Sequence, residues 1–490
     1  MTNHRCAAHC RDCGEMSRRQ FVTTASLSIA SASLLSRAVF GGPTAQPAKI
    51  RQAGPASRYV PAVKAAFVRR KGEYGLRWPG QVYDGAAALA KYTTEIVQTA
   101  KQLGLKLDLR PEPLYSMEES QAWIAQAAAA KPDGLLVVLL DRQEHSWPTA
   151  EKAIDSKIPT VIFSPVGSSF TVNTAAPSKK TGCFIASTDD FRQVRYGMKM
   201  LHAGAKMRKT RCLVIAGAKT AEETMPDVGI QLRRVPAKEF LDEYRKTPES
   251  DEVRALAAEL MKGATRQIGA TEQDVLNGIK SYVVARSMLQ RYEADAITMD
   301  CLGALGRVKV SLPCIAWSKM NDDGIPAACE ADLRAVASHV VTQYLFDRPG
   351  FQQDPVAETA RDAIIGAHCC CPTRLNGFGT APEPYDITHH HALRDATARP
   401  VWKVGQRVTS VDFLLRTSQR PTTMIISAGE VLQNVAVPPA GGCVISVMVK
   451  FDGVQDVLAY PGFHQVFFYG DFKKELVQFC RLFNVEPMVV

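Results

Sequence analysis

Two short apolar runs decide the fold class of this sequence: PDGLLVVLL at residues 132–140 and IPTVIFSP at residues 158–165. Neither run alternates apolar with polar residues, and continuous apolar runs of this length are typical of β-strands that are covered on both faces. Such strands belong to parallel sheets, in which a helix connects one strand to the next. Residues 83–104 and 116–130 agree with this, because both have the apolar spacing of a helix with a start or stop signal.

The alternation of strands and helices restarts after residue 182. Strand-like runs recur there, among them RCLVIAGA at residues 211–218, ADAITMDC at residues 294–301 and LPCIAWSK at residues 312–319. The polar stretch between the first and second of these runs has helical patterns. This region therefore predicts a second α/β domain with a parallel sheet.

From about residue 348 the composition changes, because Gly and Pro become frequent and β-rich runs such as TTMIISAGEVLQNVAV replace the helical patterns. Runs of this kind predict an antiparallel domain, and a barrel is one form it can take. The predicted fold class is α/β, with two consecutive Rossmann-like parallel-sheet domains followed by a β-rich, barrel-like C-terminal domain. The predicted bounds are 59–180, 181–347 and 348–490.

The N-terminal segment has the features of an export signal. SRRQFV at residues 17–22 places paired arginines and an aromatic residue before a short, weakly apolar, Ser/Ala-rich run, which is typical of twin-arginine signals. We assign residues 1–42 to this signal and the Pro/Ala/Gly-rich residues 43–58 to a linker. The protein is therefore expected in the periplasm or outside the cell.

The composition excludes several classes of protein. The chain has 490 residues, of which 46% are hydrophobic and 22% are charged, as in an ordinary multidomain globular protein. The net charge of +10 is not gathered in a basic stripe with interleaved aromatics, so a nucleic-acid partner is not expected. No apolar run is long enough to span a membrane. Most of the thirteen cysteines lie in apolar runs, which indicates buried thiols rather than disulfides.

The first candidate site is a junction between a strand and a helix, in GIPAACEADLRAV at residues 324–336. Glu330 and Asp332 lie where the apolar strand ends and the helix begins. Ligands of open α/β sheets bind at such junctions, and the helix N-terminus favours an anion there. Both acids could equally be helix caps, and the peptide alone favours that interpretation.

Other polar residues lie at the edges of apolar strands near the domain boundary: Asp354 in FQQDP, His368 in IIGAHCCCP and His464 in YPGFHQVFF. Together with Glu330 they are two carboxylates and one or two imidazoles, a set that suits Mn²⁺ or another divalent cation. Cys369 to Cys371 suggest zinc, but adjacent strand residues point to opposite faces, so we expect that these three thiols cannot bind one ion.

Three stretches of this sequence resemble a known family: AACEADLRAV, the segment from DP to AHCCCP, and GFHQVFFYGDFKKELVQFCRLFNV. They are similar to the L-fucose isomerase and L-arabinose isomerase superfamily, and the general resemblance runs from about residue 59 to the C-terminus. The resemblance implies an oligomeric, Mn²⁺-dependent aldose–ketose isomerase, an intramolecular oxidoreductase that acts through an enediolate.

The resemblance also implies roles for single residues. Glu330, Asp354 and His464 match the metal ligands, and His368 matches a further imidazole ligand of the arabinose branch. Glu330 and Asp354 would also move the proton between the two sugar carbons. Asp332 matches the second acid of the family's E-x-D motif, here residues 330–332; the resemblance does not fix its role, and we assign it to substrate contact. The family is cytoplasmic, whereas this chain has an export signal, so a changed substrate or a loss of catalysis is also open.

The sequence leaves two alternatives to an isomerase. The first is an exported sugar-binding protein that uses the two α/β lobes, with aromatic and acidic residues at strand ends that would hold a sugar: Trp78, Asp84, Asp141 and Trp147. The second is an inactive relative that keeps the fold without the site. In THHH, residues 388–391, His390 is a further candidate contact to a sugar or metal, although the Pro-rich surroundings favour a solvated loop.

Overall fold

The structure is a computed structural model, and it describes residues 53–72, 84–305, 310–390, 394–435 and 443–490. The predicted export signal, most of the predicted linker and Trp78 lie outside these residues. None of the described helices combines the length and the hydropathy of a membrane-spanning segment.

The first sheet contains five strands, and every pairing in it is parallel. Its strands are β1 (Ala62–Val68), β2 (Lys106–Leu109), β3 (Gly134–Leu139), β4 (Thr160–Ser164) and β5 (Cys183–Ser187). The helices around it are α1 (Pro55–Arg58), α2 (Gly85–Leu103), α3 (Met117–Ala130), α4 (Ser146–Asp155) and α5 (Thr171–Thr174). The spatial order is β2-β1-β3-β4-β5. All residues of β3 and β4 are buried, as their continuous apolar runs predict.

The second sheet has the order β11-β10-β6-β8-β7 and is parallel except at its edge, where β7 runs antiparallel to β8. The strands of this region are β6 (Arg211–Ile215), β7 (Ala221–Thr224), β8 (Gln231–Val235), β9 (Arg266–Ile268), β10 (Ala296–Met299) and β11 (Ala327–Cys329). Its helices are α6 (Phe191–Lys209), α7 (Ala237–Lys246), α8 (Asp251–Gly263), α9 (Glu272–Arg291), α10 (Cys301–Ala304), α11 (Cys314–Asp322) and α12 (Leu333–Phe346).

One local prediction in this region is wrong, and one is incomplete. The apolar run LPCIAWSK is not a strand, since it opens helix α11, where almost every residue is buried. A short, wholly buried helix has no apolar periodicity that would distinguish it from a strand. The polar stretch after β6 contains β7 and β8 as well as helices, because β7 is an exposed edge strand that pairs its acids with arginines of β8.

The C-terminal region contains β12 (Phe351–Glu358), β13 (Ala363–His368), β14 (Tyr385–His390), β15 (Arg394–Pro400), β16 (Arg407–Leu414), β17 (Thr423–Asn434), β18 (Ile445–Phe451), β19 (Gln465–Tyr469), helix α13 (Lys473–Phe483) and β20 (Glu486–Val489). Six strands pair antiparallel in the order β16-β19-β12-β13-β18-β17, and β17 pairs back onto β16. The sheet is therefore a closed barrel, and the predicted fold class is confirmed.

The elements that connect the barrel region to the α/β regions include the β14–β15 hairpin and helix α13. β14 and β15 form a three-stranded sheet with β9, which ends at Ile268, long before the first barrel strand begins at Phe351. Helix α13 returns to the first sheet, where the carbonyl of Arg481 accepts a hydrogen bond from the N–H of Gly182. The predicted domain bounds stay a prediction, although β5 places residues 183–187 in the first sheet.

Candidate metal centre

The loop after β11 brings two acids to the junction of the second sheet and the barrel. Glu330 follows β11 directly, and its backbone φ of 61° lies in the left-handed region, as does that of Ala331 at 54°. His464, which precedes β19, has a φ of 54°. A left-handed conformation costs about 1–2 kcal/mol for a residue with a side chain. Such strain is typical of functional sites, where the surrounding structure holds it.

Asp332 connects the two loops. Its Oδ1 atom accepts hydrogen bonds from the backbone N–H groups of Arg334 and Ala335, at 2.7 and 3.1 Å, and so caps helix α12. Its Oδ2 atom accepts a hydrogen bond from the Nδ1 of His464 at 2.9 Å. Asp332 is therefore a helix cap, and it also fixes the orientation of the imidazole ring.

The structure brings four of the predicted residues together. The Nε2 atom of His464 lies 3.1 Å from Oδ1 of Asp354 and 3.5 Å from Oε2 of Glu330. The Nε2 atom of His368 lies 3.8 Å from Oε1 of Glu330. One ligand atom each from Glu330, His368 and His464 fall within 4.8 Å of one another. The two carboxylates and the two imidazoles thus converge on one small volume.

The site has a closed side and an open side. The side chains of His464 and His368 are 5% and 6% exposed, because both rings lie against the strands of the barrel. Those of Glu330 and Asp354 are 34% and 32% exposed. A small ligand can therefore reach the site from the side of the two carboxylates.

The electrostatics of the site differ between the two imidazoles. Burial alone would lower the pKa of His464, but the hydrogen bond to Asp332 and the carboxylates of Asp354 and Glu330 outweigh it and raise the pKa to about 11. Burial lowers the pKa of His368 to about 4, so this ring is neutral at physiological pH. Contact with His464 lowers the pKa of Glu330, which keeps this carboxylate ionised.

The donor set fits a divalent cation. The Nε2 of His464 and the Oδ1 of Asp354 approach closely, yet they are not aligned as a hydrogen bond, and neither buried atom has a hydrogen-bond partner among the described residues. Buried polar atoms without partners are costly, and a metal ion satisfies both at once. The hydrogen bond from His464 Nδ1 to Asp332 is the kind of outer contact that orients metal-binding imidazoles.

An aromatic residue that the sequence analysis did not single out lies beside this site. Phe463 is 51% exposed, and its ring centroid lies 4.5 Å from that of His464. Its backbone is fixed on both sides, since its carbonyl accepts from Arg334 and its N–H donates to Asp412. The signal in the sequence was the aromatic residue next to the histidine in GFHQ.

The remaining candidates do not join the four converging side chains. His390 is the last residue of β14 and is buried, so the predicted solvated loop is wrong at this position. Asp84 caps helix α2, and Asp141 accepts hydrogen bonds from backbone N–H groups. Trp147 packs in the core of the first sheet. Trp78 lies outside the described residues.

The cysteines are free thiols in the described part of the chain, and all but the half-buried Cys443 are buried. The argument that Cys369 and Cys370 point to opposite faces is wrong. Strand β13 ends at His368, so strand alternation does not apply to them, and hydrogen bonding with both thiols lowers the pKa of Cys314 to about 7. The Sγ atoms of Cys329 and Cys370 are 3.1 Å apart.

Comparisons with known proteins found no matching family model and no matching curated protein. Solved structures that match include an ABC-transporter solute-binding protein from Burkholderia multivorans, with 13% identity and a TM-score of 0.18, covering 59% of this chain and 95% of that one. A periplasmic solute-binding protein from Actinobacillus succinogenes with bound D-allose has 12% identity and a TM-score of 0.19, covering 59% and 92%. A glucose-galactose binding protein from Geobacillus stearothermophilus has 14% identity and a TM-score of 0.18, covering 59% and 93%.

These structures are sugar-binding proteins and not L-fucose or L-arabinose isomerases. The predicted membership of the isomerase superfamily is therefore wrong, and the isomerase activity and manganese-enzyme class that it implied are withdrawn. Their TM-scores are too low to support a conclusion about the function or the site of this chain.

Proposed function

We propose that this protein binds a divalent cation through Glu330, Asp354, His464 and His368 and uses it to hold a small carbohydrate. The observation that carries the proposal is the convergence of Glu330 and Asp354 on the Nε2 atom of His464, at 3.5 and 3.1 Å. All four side chains belong to this chain, so the proposed cation site does not rest on similarity to any other protein.

The charges at the site favour a cation. Three carboxylates, those of Glu330, Asp332 and Asp354, surround His464 and hold a proton on it in the metal-free protein. A divalent cation brings more positive charge to the same place and takes over the Nε2 lone pair. The hydrogen bond to Asp332 leaves Nε2, rather than Nδ1, as the ligand atom.

The ligand types limit the choice of cation. Two carboxylates and two imidazoles suit Mn²⁺ or a similar first-row ion better than a thiophilic one. A cation bound by these four side chains can keep coordination positions free on its exposed side. When bound, it would act as a Lewis acid that attracts the oxygen atoms of neighbouring hydroxyl groups.

The surroundings favour a carbohydrate among polyhydroxylated ligands. The exposed ring of Phe463 lies next to the buried ring of His464, so an exposed apolar surface lies beside the polar groups of the site. Carbohydrates present an apolar face together with hydroxyl groups, and their sites combine aromatic side chains with a few fixed polar groups. The names of the matching sugar-binding proteins are in keeping with this ligand class. Export to the periplasm and an oligomeric state stay predictions.

Titration calorimetry of the metal-free protein tests the proposal. We expect one Mn²⁺ per chain, and binding of a member of a panel of aldoses and ketoses only after the cation is added. Glu330→Gln should abolish both, whereas Glu358→Gln, which changes an acid at the far end of β12, should preserve both. Sugar binding that survives removal of the cation would contradict the proposed mode of binding. Failure of the wild-type protein to bind any divalent cation would contradict the site itself.

A further inference from the structure

We propose that Cys314, Cys329 and Cys370, together with His368, form a second metal site that takes a thiophilic divalent ion such as Zn²⁺. This site lies beside the carboxylate site and shares His368 with it. The inference does not rest on the proposed carbohydrate binding, because it uses thiols that the carboxylate site does not need.

Three of the four ligand atoms are already close together. The Sγ atoms of Cys329 and Cys370 are 3.1 Å apart, and one ring nitrogen of His368 lies within 4.8 Å of both. Cys314 would have to move towards these three atoms, and hydrogen bonding with Cys369 and Cys370 already lowers its pKa to about 7. Three thiols and one imidazole are the ligand set of a common structural zinc site.

The geometry needs only a small adjustment to accept the ion. Thiolate sulfurs bind Zn²⁺ at about 2.3 Å in a tetrahedral arrangement, which places two sulfurs about 3.8 Å apart. Cys329 and Cys370 would therefore separate by some tenths of an ångström on binding. Cys329 ends β11 and Cys370 follows β13, so a shift of side chains alone can provide this movement.

The alternative is that these thiols are packed as small apolar groups, as buried cysteines often are. His368 argues against it. Its side chain is 6% exposed, and its Nδ1 atom has no hydrogen-bond partner among the residues that the structure describes. A buried ring nitrogen without a hydrogen-bond partner destabilises an apolar cluster, whereas in a metal site the imidazole serves as a ligand.

His368 is common to both sites, since its ring also lies near Glu330 and His464. A thiophilic ion at the thiol site therefore competes for an imidazole that the carboxylate site uses. Because His368 is a direct ligand of the carboxylate site, we expect saturating Zn²⁺ to weaken Mn²⁺ binding there by more than about 100-fold.

Absorption spectroscopy with Co²⁺ tests the proposal on the reduced, metal-free full-length protein. Thiolate ligands give Co²⁺ an intense charge-transfer band, whereas carboxylate and imidazole ligands do not. We expect this band to saturate at one equivalent and to disappear when Zn²⁺ is added. A wild-type protein that shows no thiolate band would overturn the inference without any variant.

Three variants separate the two sites. The double variant C329A/C370A should lose the band, and C480A, which removes a buried cysteine of another core, should keep it. Glu330→Gln should keep the thiolate band while it loses Mn²⁺ binding, so failure of one site is distinguishable from failure of the other. A band that persists in C329A/C370A would overturn the assignment of these ligands.

Discussion

The carboxylate of Asp332 accepts the Nδ1–H of His464 at 2.9 Å, while its other oxygen caps helix α12. One side chain thus fixes both the start of a helix in the second sheet region and an imidazole at the edge of the barrel. The relationship explains why an acid follows Glu330 at this spacing. It also makes the orientation of His464 depend on a residue that does not itself face the cation.

Asp332→Asn separates the two roles of this side chain. Asparagine caps helices as well as aspartate does, so the helix cap should be retained, and the free energy of unfolding of the metal-free protein should fall only by the charged hydrogen bond to His464, about 1.5–3 kcal/mol. Its single carbonyl oxygen remains on the helix, and its amide group then faces His464. The ring must accept at Nδ1 and hold its proton at Nε2, the atom that faces the cation. Cation affinity should fall by about 10–100-fold, as measured by calorimetry. Unchanged affinity would show that Asp332 does not position the ring.

Asp354→Asn should weaken Mn²⁺ binding by more than about 100-fold, because it removes a direct ligand rather than a supporting contact. Calorimetry measures the affinity, and circular dichroism checks that the fold is retained. The control is Glu358→Gln on the same strand, which should bind like the wild type. Equal affinity of Asp354→Asn and the control would place the cation elsewhere.

Cation binding should depend on pH. In the metal-free protein the pKa of His464 is raised to about 11, so its ring is protonated throughout the physiological range. A cation must displace this proton from Nε2, and the apparent affinity should therefore rise by about tenfold per pH unit between roughly pH 6 and 8. Titrations in buffers of different ionisation enthalpy count the protons released. Affinity that is the same at every pH would contradict the role of His464 as a ligand.

Phe463→Ala should separate the carbohydrate from the cation. The ring does not belong to the converging side chains, so Mn²⁺ affinity should be unchanged. Sugar affinity should fall by about tenfold because an exposed stacking surface is lost. Phe170→Ala, which removes an exposed aromatic residue of the first α/β region, is the matched control. Sugar binding that is insensitive to Phe463→Ala would mean that the ligand lies on another side of the cation.

Asp412 should make stability depend on pH. Burial raises the pKa of this carboxyl from 3.8 to about 7, although the charge of Arg334 opposes the shift. A carboxyl group whose pKa is raised in the folded protein adds to the free energy of unfolding at low pH. This contribution is lost as the pH rises through the pKa of the folded state. Chemical unfolding should show that the wild type loses stability between about pH 4 and 7 relative to Asp412→Asn. The variant should be more stable at about pH 8 by about 1–3 kcal/mol. A difference that does not change with pH would contradict this assignment.

Part of the fold was predictable because its signals are local. The continuous apolar runs of β3 and β4 indicated buried parallel strands, and the change of composition near residue 348 indicated a β-rich region. The pairing of β16 with β17 that closes the barrel could not be predicted, since the sequence of one strand does not identify the strand it pairs with. LPCIAWSK was mistaken for a strand because helix α11 is buried on all sides.

Part of the candidate site could also be predicted from the sequence, and part of it could not. Glu330, Asp354, His368 and His464 could be proposed because chemistry-bearing residues at strand ends are conspicuous against apolar neighbours. The hydrogen bond between Asp332 and His464 could not be predicted, because it joins two loops that only the packing of the barrel against α12 brings together. The thiol cluster was missed since strand alternation was applied to Cys369 and Cys370, beyond the end of β13.

Anomalous scattering from crystals of the protein grown with Mn²⁺ tests the central claim most directly. We expect one strong peak within about 2–2.5 Å of the carboxylates of Glu330 and Asp354 and the Nε2 atom of His464. Occupied Mn²⁺ sites elsewhere with no peak among these three side chains would contradict the carboxylate site.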